Sequence, residues 1–492
     1  MEILAALSAI VNPMCLLYLI FGTVAGIVLG AIPGLSGGTG LVIMLPLTFK
    51  MEPAMAIAVL MGIYIGGVSG GFIGSILLGI PGTTNSIATV FDGYEMTKKG
   101  EAVRALSAGV VANFLGTAPS ILIALFASSW ISKWAVKLGP WEYFSLMICA
   151  ITLVVTLSKG NLAKGMLSAG LGFLICCVGF APICATPRFT FGVRYLKGGF
   201  NFVPVMMGIF AGATILLEYA RDAKSSQADI VKVSKFKLPV KDFASNIKNV
   251  LRSWCLGLGV GFLPGMGGTL ANMVAYAQEK SASKHPEEFG HGCIDGVIAP
   301  EVANNASIGG AIIPMVALGI PGDGATAFLM AALTLQGVQP GPLFAANEPV
   351  LFNIIFISAT VAALVVLLAE VIGMPIFPAL LKIPYHFLYP VIIMLIFIGA
   401  YVSSYNMFVV FVMLGFTLAG IFMQCFGLPS APFILAVVLG NSIETYLRRG
   451  VNMAPNGWAA FVTRPVSCIL LLLALISTVW SLFGDKIKLK RQ

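Results

Sequence analysis

The stretch GAIPGLSGGTGLVIMLPLTF, residues 30 to 49, places a proline, several glycines and hydroxyl side chains inside an otherwise apolar run. Proline removes a helix hydrogen bond and glycine lowers helix propensity, so a helix entering this stretch is expected to break at Pro33 and Gly34. In lipid, broken backbone is tolerated only where protein buries it or where it lines a wet cavity. The stretch therefore predicts an interrupted helix at a sheltered place inside a membrane protein.

The composition of the whole chain also points to a membrane. Of its 492 residues, 58% are hydrophobic and 10% are charged, with a mean hydropathy of +0.96, whereas soluble domains are about 25% charged. At ~20 residues for each span, the apolar runs predict about ten to twelve transmembrane helices. The predicted fold class is an all-α polytopic membrane protein. The N-terminus has no basic region before Lys50, so its first helix is expected to be retained rather than cleaved.

The distribution of charge and the spacing of cysteines and histidines argue against a nucleic-acid-binding protein and against a metal-binding protein. The net charge of +9 could suggest nucleic acid, but the basic residues cluster in short polar connections, as the positive-inside rule predicts for a membrane protein. Nine cysteines stand mostly alone in apolar surroundings, and the three histidines have no ligand spacing. We therefore expect no nucleic-acid partner, no metal site and no cofactor.

The opening stretch has a second copy. GFLPGMGGT at residues 261 to 269 repeats it one residue shorter, with Pro264 and Gly265 standing 231 residues after their counterparts. LGIPG occurs at residues 78 to 82 and again at 318 to 322, an offset of 240. Two motifs in one order at nearly one spacing predict two homologous halves. The predicted division is a first half at 1–220, a basic cytoplasmic linker at 221–252 and a second half at 253–492.

Equivalent loops of the two halves carry opposite charge bias. After LGIPG the first half has Lys98, Lys99 and Arg104, whereas the corresponding loop of the second half has no Lys or Arg. In the loop after the Pro–Gly and glycine motif the charge bias is reversed, because Lys280 and Lys284 lie in the second half. By the positive-inside rule this pattern predicts inverted-topology repeats with broken or re-entrant helices. The N-terminus is then outside and the C-terminus inside.

The four Pro–Gly breaks predict a site for an anion. A helix that starts after a break presents unpaired N–H groups and a partial positive charge, and glycine lets a ligand approach the backbone. A carboxylate could be held there without a buried arginine. The candidate substrate-binding residues are Pro33, Gly34, Ser36, Gly37, Gly38, Thr39, Gly82, Thr83, Thr84, Asn85, Pro264, Gly265, Gly267, Gly268, Thr269 and Asn272.

Polar residues within the apolar second half predict a site for a coupling cation or proton. On a helix, Glu301, Asn304 and Asn305 share one face, although Glu301 could instead be solvated at the cytoplasmic helix end. Asp323 could bind a cation or cap a half-helix. The candidate coupling residues are Glu301, Asn304, Asn305, Gly322, Asp323 and Thr326. Glu370 and Glu444 lie outside the repeated breaks and are interpreted as interfacial or packing groups.

Four motifs together carry a family resemblance over residues 22 to about 450. GAIPGLSGGTGLVIMLPLTF, LLGIPGT with FDGYEMTKKGEAVRAL, GFLPGMGGTLANMVAYAQEKSASKHPEEFGHG and GVIAPEVANNASIGGAIIPMVALGIPGD occur in this order. In these motifs the chain resembles the large membrane subunit of the tripartite tricarboxylate transporters.

The resemblance implies a bacterial inner-membrane importer of small di- or tricarboxylates. It implies a small membrane subunit and a periplasmic solute-binding protein as partners, and uptake driven by a sodium or proton gradient. Two alternatives from the residues remain. The broken helices could line an anion channel, and the G-x-S-G pattern around Ser36 could belong to an intramembrane serine protease using His386.

Overall fold

The computed structural model of the chain describes residues 2–157, 162–221, 232–382, 385–454 and 457–489. Residues 222–231 of the predicted linker and the last three residues of the basic C-terminus lie outside the described residues. The regular structure is almost entirely helical, because apolar side chains dominate and a helix satisfies its own backbone groups in lipid. One short ribbon pairs β1 (Gly179–Phe180) with β2 (Pro187–Arg188) in antiparallel register.

The helices follow one another with short connections. In chain order they are α1 Glu2–Val11, α2 Pro13–Ala31, α3 Gly37–Met44, α4 Pro53–Ser69, α5 Gly71–Leu78, α6 Thr89–Lys98, α7 Ala102–Ala135, α8 Pro140–Leu157, α9 Leu162–Cys176, α10 Phe202–Met206, α11 Ala213–Arg221, α12 Val240–Ser245, α13 Ile247–Phe262, α14 Gly267–Ala282, α15 Asp295–Leu318, α16 Gly324–Leu335, α17 Phe344–Asn347, α18 Pro349–Gly373, α19 Phe377–Leu380, α20 Tyr385–Val402, α21 Met407–Cys425, α22 Ser430–Met453, α23 Ala460–Thr463 and α24 Pro465–Leu489. A 3₁₀ turn, Thr84–Ser86, precedes α6.

Within the described residues, eight helical segments are long and apolar enough to cross a bilayer. They are Pro13–Ala31, Pro53–Leu78, Ala102–Ala135, Phe202–Ala220, Pro349–Leu380, Met407–Cys425, Ser430–Met453 and Pro465–Leu482. Five shorter apolar helices of 10–17 residues accompany them. The prediction of an all-α polytopic membrane protein is confirmed, and the figure of ten to twelve spans stays a prediction.

The helices form two compact units. Unit 1 contains Met1–Ser129 and Thr214–Ser403, and unit 2 contains Trp130–Ala213 and Ser404–Gln492. Each unit therefore draws chain from both sides of the predicted linker. The sequence halves reflect the internal repeat, whereas the compact units reflect which helices pack together, so the two divisions differ.

In unit 1 the same helix pair is built twice. Helix α2 lies against α4, and a Cβ on Gly30 would meet the carbonyl oxygen of Gly67. Helix α13 lies against α15 in the same way, and a Cβ on Gly261 would meet the carbonyl oxygen of Ser307. These partners are related by the sequence offsets of 231 and 240 residues. The repeat is therefore present in the packing as well as in the motifs.

All four predicted helix interruptions are present. The first break, 32–36, separates α2 from α3, and the second, 79–83, separates α5 from the 3₁₀ turn. The third break, 263–266, separates α13 from α14, and the fourth, 319–323, separates α15 from α16. Gly34 and Gly265 take φ values of +85° and +72°, and Gly79 and Gly319 take +70° and +69°. Left-handed Gly79 and Gly319 thus end α5 and α15 directly, whereas Gly34 and Gly265 lie at equivalent places inside the first and third breaks.

The described part of the predicted linker is anchored to unit 1. Arg104 at the start of α7 donates two hydrogen bonds to the Asp242 carboxylate of α12, at 2.7 and 3.2 Å. The backbone N–H of Lys237 donates to Ser107 Oγ at 3.2 Å. These bonds hold α12 beside the N-terminal end of α7.

Unit 2 is stabilised by polar bonds between its helices. Trp141 Nε1 of α8 donates to the Gly450 carbonyl of α22 at 3.0 Å. Arg188 of the ribbon donates to both oxygens of Glu444 at 2.8 and 3.0 Å, and Arg448 donates to the same carboxylate. The interpretation of Glu444 as a packing group agrees with these ion pairs.

Candidate functional site

The four breaks meet within unit 1. Helix α3, after the first break, packs on α16, after the fourth, with Gly38 beside the ring of Phe328. Helix α14, after the third break, packs on the 3₁₀ turn after the second. A Cβ on Gly267 would lie 2.6 Å from Cβ of Asp323, which joins the third break to the fourth. Segments far apart in the sequence therefore surround one place, and each comes from a helix interruption.

Helix α3 begins with a side-chain cap. Ser36 Oγ accepts a hydrogen bond from the Thr39 N–H at 3.1 Å and lies 3.1 Å from Thr39 Oγ1. One of the free donors of this helix start is thereby used by the protein itself. Ser36 and Gly38 both keep accessible surface, so the cap forms part of a face that a ligand can reach.

The second and third breaks share a polar contact. Thr269 Oγ1 of α14 donates to Asn85 Oδ1 at 2.7 Å and lies 3.1 Å from Thr84 Oγ1. Thr84 is exposed, and the other two side chains are partly exposed. This contact joins the two halves of the chain at the accessible face.

The predicted substrate-binding residues divide by exposure into two groups. Those with accessible surface are Pro33, Gly34, Ser36, Gly38, Thr84, Asn85, Pro264, Gly265 and Thr269. Those that are buried are Gly37, Thr39, Gly82, Thr83, Gly267, Gly268 and Asn272. Only the first group offers atoms to a ligand that arrives from outside. The buried residues of the second group pack beneath the first group.

The side-chain amide of Asn272 is hydrogen-bonded to protein at both its oxygen and its nitrogen. Its Oδ1 accepts from the Ala88 N–H at 2.8 Å, and its Nδ2 donates to Thr89 Oγ1 at 3.3 Å. These bonds connect α14 of the second half to the start of α6 in the first half. Both functional groups of the amide therefore contact protein.

The Glu301 carboxylate is fully buried at 0% exposure. This burial contradicts the alternative that Glu301 is solvated at a helix end. Thr89 Oγ1 donates a short hydrogen bond to Glu301 Oε1, and the Ser86 and Asn304 side chains also lie beside the carboxylate. A buried carboxylate with no basic partner needs compensation from hydrogen bonds, a proton or a cation.

Four buried side-chain oxygens in this region make no well-formed hydrogen bond within the described part of the chain, although Ser86 Oγ lies beside the Glu301 carboxylate. These atoms, here named the oxygen cluster, are Thr83 Oγ1, Ser86 Oγ, Glu301 Oε2 and Asn304 Oδ1. The two hydroxyls are neighbours, since both would contact a Cβ built on Gly71, and Asn304 Oδ1 would contact a Cβ on Gly268. Buried polar atoms are rarely left unpaired. Carboxylate, amide and hydroxyl oxygens are the ligand types that hard cations prefer.

Asn305 belongs to a separate and saturated network. Its Nδ2 donates to Asn113 Oδ1 at 2.7 Å and to the Glu301 carbonyl at 3.0 Å. Its Oδ1 accepts from Ser69 Oγ at 2.8 Å and from Thr117 Oγ1 at 3.2 Å. Asn305 thus holds α15 against α4 and α7 beside the oxygen cluster.

Asp323 forms the capping box of α16. Its Oδ1 accepts from the Thr326 N–H at 2.7 Å, and its own N–H donates to Thr326 Oγ1 at 2.9 Å. Its Oδ2 accepts from the buried Tyr64 hydroxyl at 3.0 Å. Gly322, just before it, is buried against Ala311. Of the two roles left open by the sequence, the contacts favour the cap.

Asp92 is a buried anchor that sequence reasoning missed. Its Oδ1 accepts three backbone N–H groups, from Gly290, Gly292 and Cys293, at 2.8–2.9 Å. Its Oδ2 accepts from the Tyr276 hydroxyl. The available signal was an acidic residue in the motif FDGYE, just after the second break.

These features define a class: a polytopic helical membrane protein with paired helix interruptions gathered at a buried polar site. Such interruptions are typical of secondary transporters. The sequence model of the tripartite tricarboxylate transporter TctA family matches residues 16–435, and the chain belongs to this family.

Two relatives from Agrobacterium vitis agree with this assignment. The chain is 33% identical to an uncharacterized 52.8 kDa protein in the TAR-I ttuC' 3' region, over 96% of this chain and 94% of the relative. It is 36% identical to an uncharacterized protein in the TAR-II ttuC' 3' region, over 45% of this chain and 92% of that relative. No solved structure matches the chain at a significant level.

The family is a transporter family, and the chain is a transport component. The contacts described at Ser36 are those of a helix cap, and the side chain of His386 lies outside the described residues. The protease alternative has no support from these contacts.

Proposed function

We propose that the chain is the large membrane subunit of a secondary active importer of small di- or tricarboxylates, driven by cation symport. The observation that carries the proposal is the oxygen cluster, which is buried next to the accessible residues of the four breaks. Family membership supports transport of this substrate class. The absence of basic side chains from the four breaks suits binding through backbone N–H groups.

The substrate carboxylates would lie against the starts of α3 and α14. These helix starts come from equivalent breaks in the two halves, and Ser36, Gly38 and Thr269 keep accessible surface there. Hydroxyls donate to carboxylate oxygens, and glycine allows the ligand to approach the main chain. A di- or tricarboxylate has at least two anionic groups, which would suit two such helix starts.

The coupling cation would bind at the oxygen cluster, with Glu301 supplying the negative charge. One carboxylate, one amide oxygen and two hydroxyls suit Na⁺ better than a proton, because a proton needs only one of these oxygens. The oxygen cluster adjoins the accessible residues proposed to hold the substrate, Ser36, Gly38, Thr84, Asn85 and Thr269, which are here named the substrate face. Thr83 and Ser86 flank Thr84 and Asn85, and Gly268, beside Asn304, precedes Thr269. Filling the cluster would therefore order the substrate face.

The partners and location follow from the same proposal. A small membrane subunit and a periplasmic solute-binding protein would complete the transporter, and the binding protein would deliver the carboxylate. The chain would lie in the bacterial inner membrane with its N-terminus in the periplasm. The lysine-rich linker and the C-terminus would then lie in the cytoplasm.

The test is uptake of labelled di- and tricarboxylates into proteoliposomes that contain the chain with both partners. A transporter accumulates substrate against its gradient, and accumulation collapses when the sodium or proton gradient is removed. Simple equilibration that ignores both gradients would instead identify an anion channel. Glu301→Gln should lose cation-dependent accumulation, whereas Glu52→Gln, an exposed carboxylate at the start of α4, should keep it.

A further inference from the structure

A second buried carboxylate lies in unit 1 outside the oxygen cluster. Glu370, near the end of α18, is 0% exposed, whereas Leu368 and Ile372 on either side are 60% and 73% exposed. The side chain therefore points into the protein while its neighbours face outward. Of the two alternatives given for Glu370, this burial fits a packing group and not an interfacial one.

Among the described residues, Glu370 is hydrogen-bonded to one side chain, that of Asn113. Asn113 Nδ2 of α7 lies 3.3 Å from Oε1 and 3.2 Å from Oε2. The same nitrogen donates to the Ser69 carbonyl at 3.1 Å, so one amide hydrogen remains for both carboxylate oxygens. No lysine, arginine or histidine within the described ranges forms an ion pair with Glu370. One neutral donor does not compensate a buried negative charge.

The amide of Asn113 connects Glu370 to the helix that carries Glu301. Asn113 Oδ1 accepts from Asn305 Nδ2 at 2.7 Å, and Asn305 Nδ2 also donates to the Glu301 carbonyl. These bonds link Glu370 to the backbone of a second buried acid, Glu301. Two like charges in a buried region repel each other strongly. This repulsion is relieved when one of the carboxyl groups is neutral.

We propose that Glu370 is a proton-binding site, distinct from the oxygen cluster. It carries a proton while the hydrogen bonds from Asn113 to Glu370 and from Asn305 to Asn113 are formed. The proton forms an O–H bond to one carboxylate oxygen, and Asn113 continues to donate to the other. The proton is taken from water and returned to water when α18 and α7 separate. This proposal goes beyond the proposed function, because it holds whichever cation occupies the oxygen cluster.

The decisive measurement is infrared difference spectroscopy of the full chain in lipid at neutral pH. Subtracting the spectrum of Glu370→Gln from that of the wild type should reveal loss of a protonated carboxyl C=O band. Loss of an ionised carboxylate band in that subtraction would overturn the proposal. Glu348→Gln, which removes an exposed carboxylate at the start of the same helix, is the matched control and should remove an ionised band.

Glu370→Asp provides a second variant if Glu370→Gln does not fold. It should shift the protonated band rather than remove it, and an unshifted protonated band would contradict the assignment. Glu301→Gln removes the repulsion but not the burial of Glu370, so the protonated Glu370 band should remain at neutral pH and should be lost at a lower pH than in the wild type.

The functional readout is the pH profile of uptake in proteoliposomes containing both partners. Wild-type uptake should decline at alkaline pH as the proton is lost, Glu370→Gln should lose that decline, and Glu370→Asp should restore it. An unchanged alkaline decline in Glu370→Gln would count against the proton site. If the wild type accumulates no carboxylate at all, the proposed function fails, while the infrared result still decides the protonation of Glu370.

Discussion

Asp92 Oδ2 accepts a hydrogen bond from the Tyr276 hydroxyl at 2.8 Å, which joins the helix after the second break to the helix after the third. The other oxygen of Asp92 accepts three backbone N–H groups of the loop before α15. One buried carboxylate thus sets the relative position of α6, α14 and α15. These helices carry the residues around the oxygen cluster.

Replacing Asp92 by Asn should destabilise unit 1. The amide removes the negative charge from four hydrogen bonds, and an NH₂ group facing Tyr276 requires that hydroxyl to accept a hydrogen bond instead of donating one. Bonds to charged groups contribute about 1.5–3 kcal/mol each, so we expect a loss of about 3 kcal/mol in the free energy of unfolding. Thermal unfolding of the purified protein in detergent measures this as a lower midpoint.

Glu95→Gln is the matched control for Asp92, since both acids lie on α6. Glu95 is partly exposed, and its hydrogen bond from Lys98 at 2.6 Å lowers the pKa of its carboxyl. Solvent screens such a pair, so removing it should leave the unfolding midpoint unchanged. Equal losses in the two variants would show that Asp92 is not a special anchor.

Removing hydroxyls of the oxygen cluster should weaken cation dependence without unfolding the protein. Thr83→Val and Ser86→Ala delete oxygens that make no hydrogen bond among the described residues. Each should raise the half-saturating Na⁺ concentration roughly tenfold, equivalent to about 1.4 kcal/mol. Sodium titration of uptake measures the effect.

Ser75→Ala is the control for these hydroxyl variants. Ser75 Oγ donates to the Ser86 carbonyl at 2.9 Å, so its loss should lower stability while leaving the sodium requirement unchanged. If Thr83→Val and Ser86→Ala keep the wild-type sodium requirement, the cation does not bind at the oxygen cluster.

Adding a methyl group at Gly268 should strongly reduce uptake. A Cβ there would overlap Asn304 Oδ1 and would lie 2.7 Å from Asn85 Nδ2. Both the oxygen cluster and the substrate face must shift to make room, and we expect a loss of more than about tenfold in uptake, the effect of roughly 1.4 kcal/mol.

Gly259→Ala is the corresponding control, because a Cβ at Gly259 in α13 would meet nothing within 4 Å. It should preserve uptake and slightly stabilise the helix. Wild-type uptake by Gly268→Ala would show that this close approach does not matter for transport.

Asp323→Asn should preserve both uptake and its ion dependence. Asparagine is also a good N-cap, and its amide can still bond to the Thr326 N–H and the Tyr64 hydroxyl. Asp323→Ala should instead lose about 1 kcal/mol from the cap and leave the Tyr64 hydroxyl unpaired. A raised half-saturating Na⁺ concentration in Asp323→Asn, like that expected for Thr83→Val and Ser86→Ala, would place Asp323 in the cation site after all.

The repeats and breaks were readable from the sequence because they depend on local chemistry. Pro–Gly pairs and the left-handed glycines Gly79 and Gly319 interrupt helices wherever they fold. Proline alone was a poorer guide, since Pro119, Pro300 and Pro314 lie inside continuous helices. The buried environment of Glu301 and the anchoring role of Asp92 were not readable, because both depend on partners almost 200 residues or more away.

The sequence by itself determined the membrane class, the family, the two copies of each motif and the positions of the four breaks. These follow from composition, helix propensity and hydrogen-bond chemistry within a few residues. The tertiary structure alone decided which polar groups remain open to a ligand. Asn272, Asn305 and Asp323 are engaged by distant protein partners. Within the part of the chain that the structure describes, a buried oxygen without a well-formed hydrogen bond remains on each of Thr83, Ser86, Glu301 and Asn304. Whether a polar atom is satisfied depends on every helix packed around it, and one stretch of chain cannot specify that.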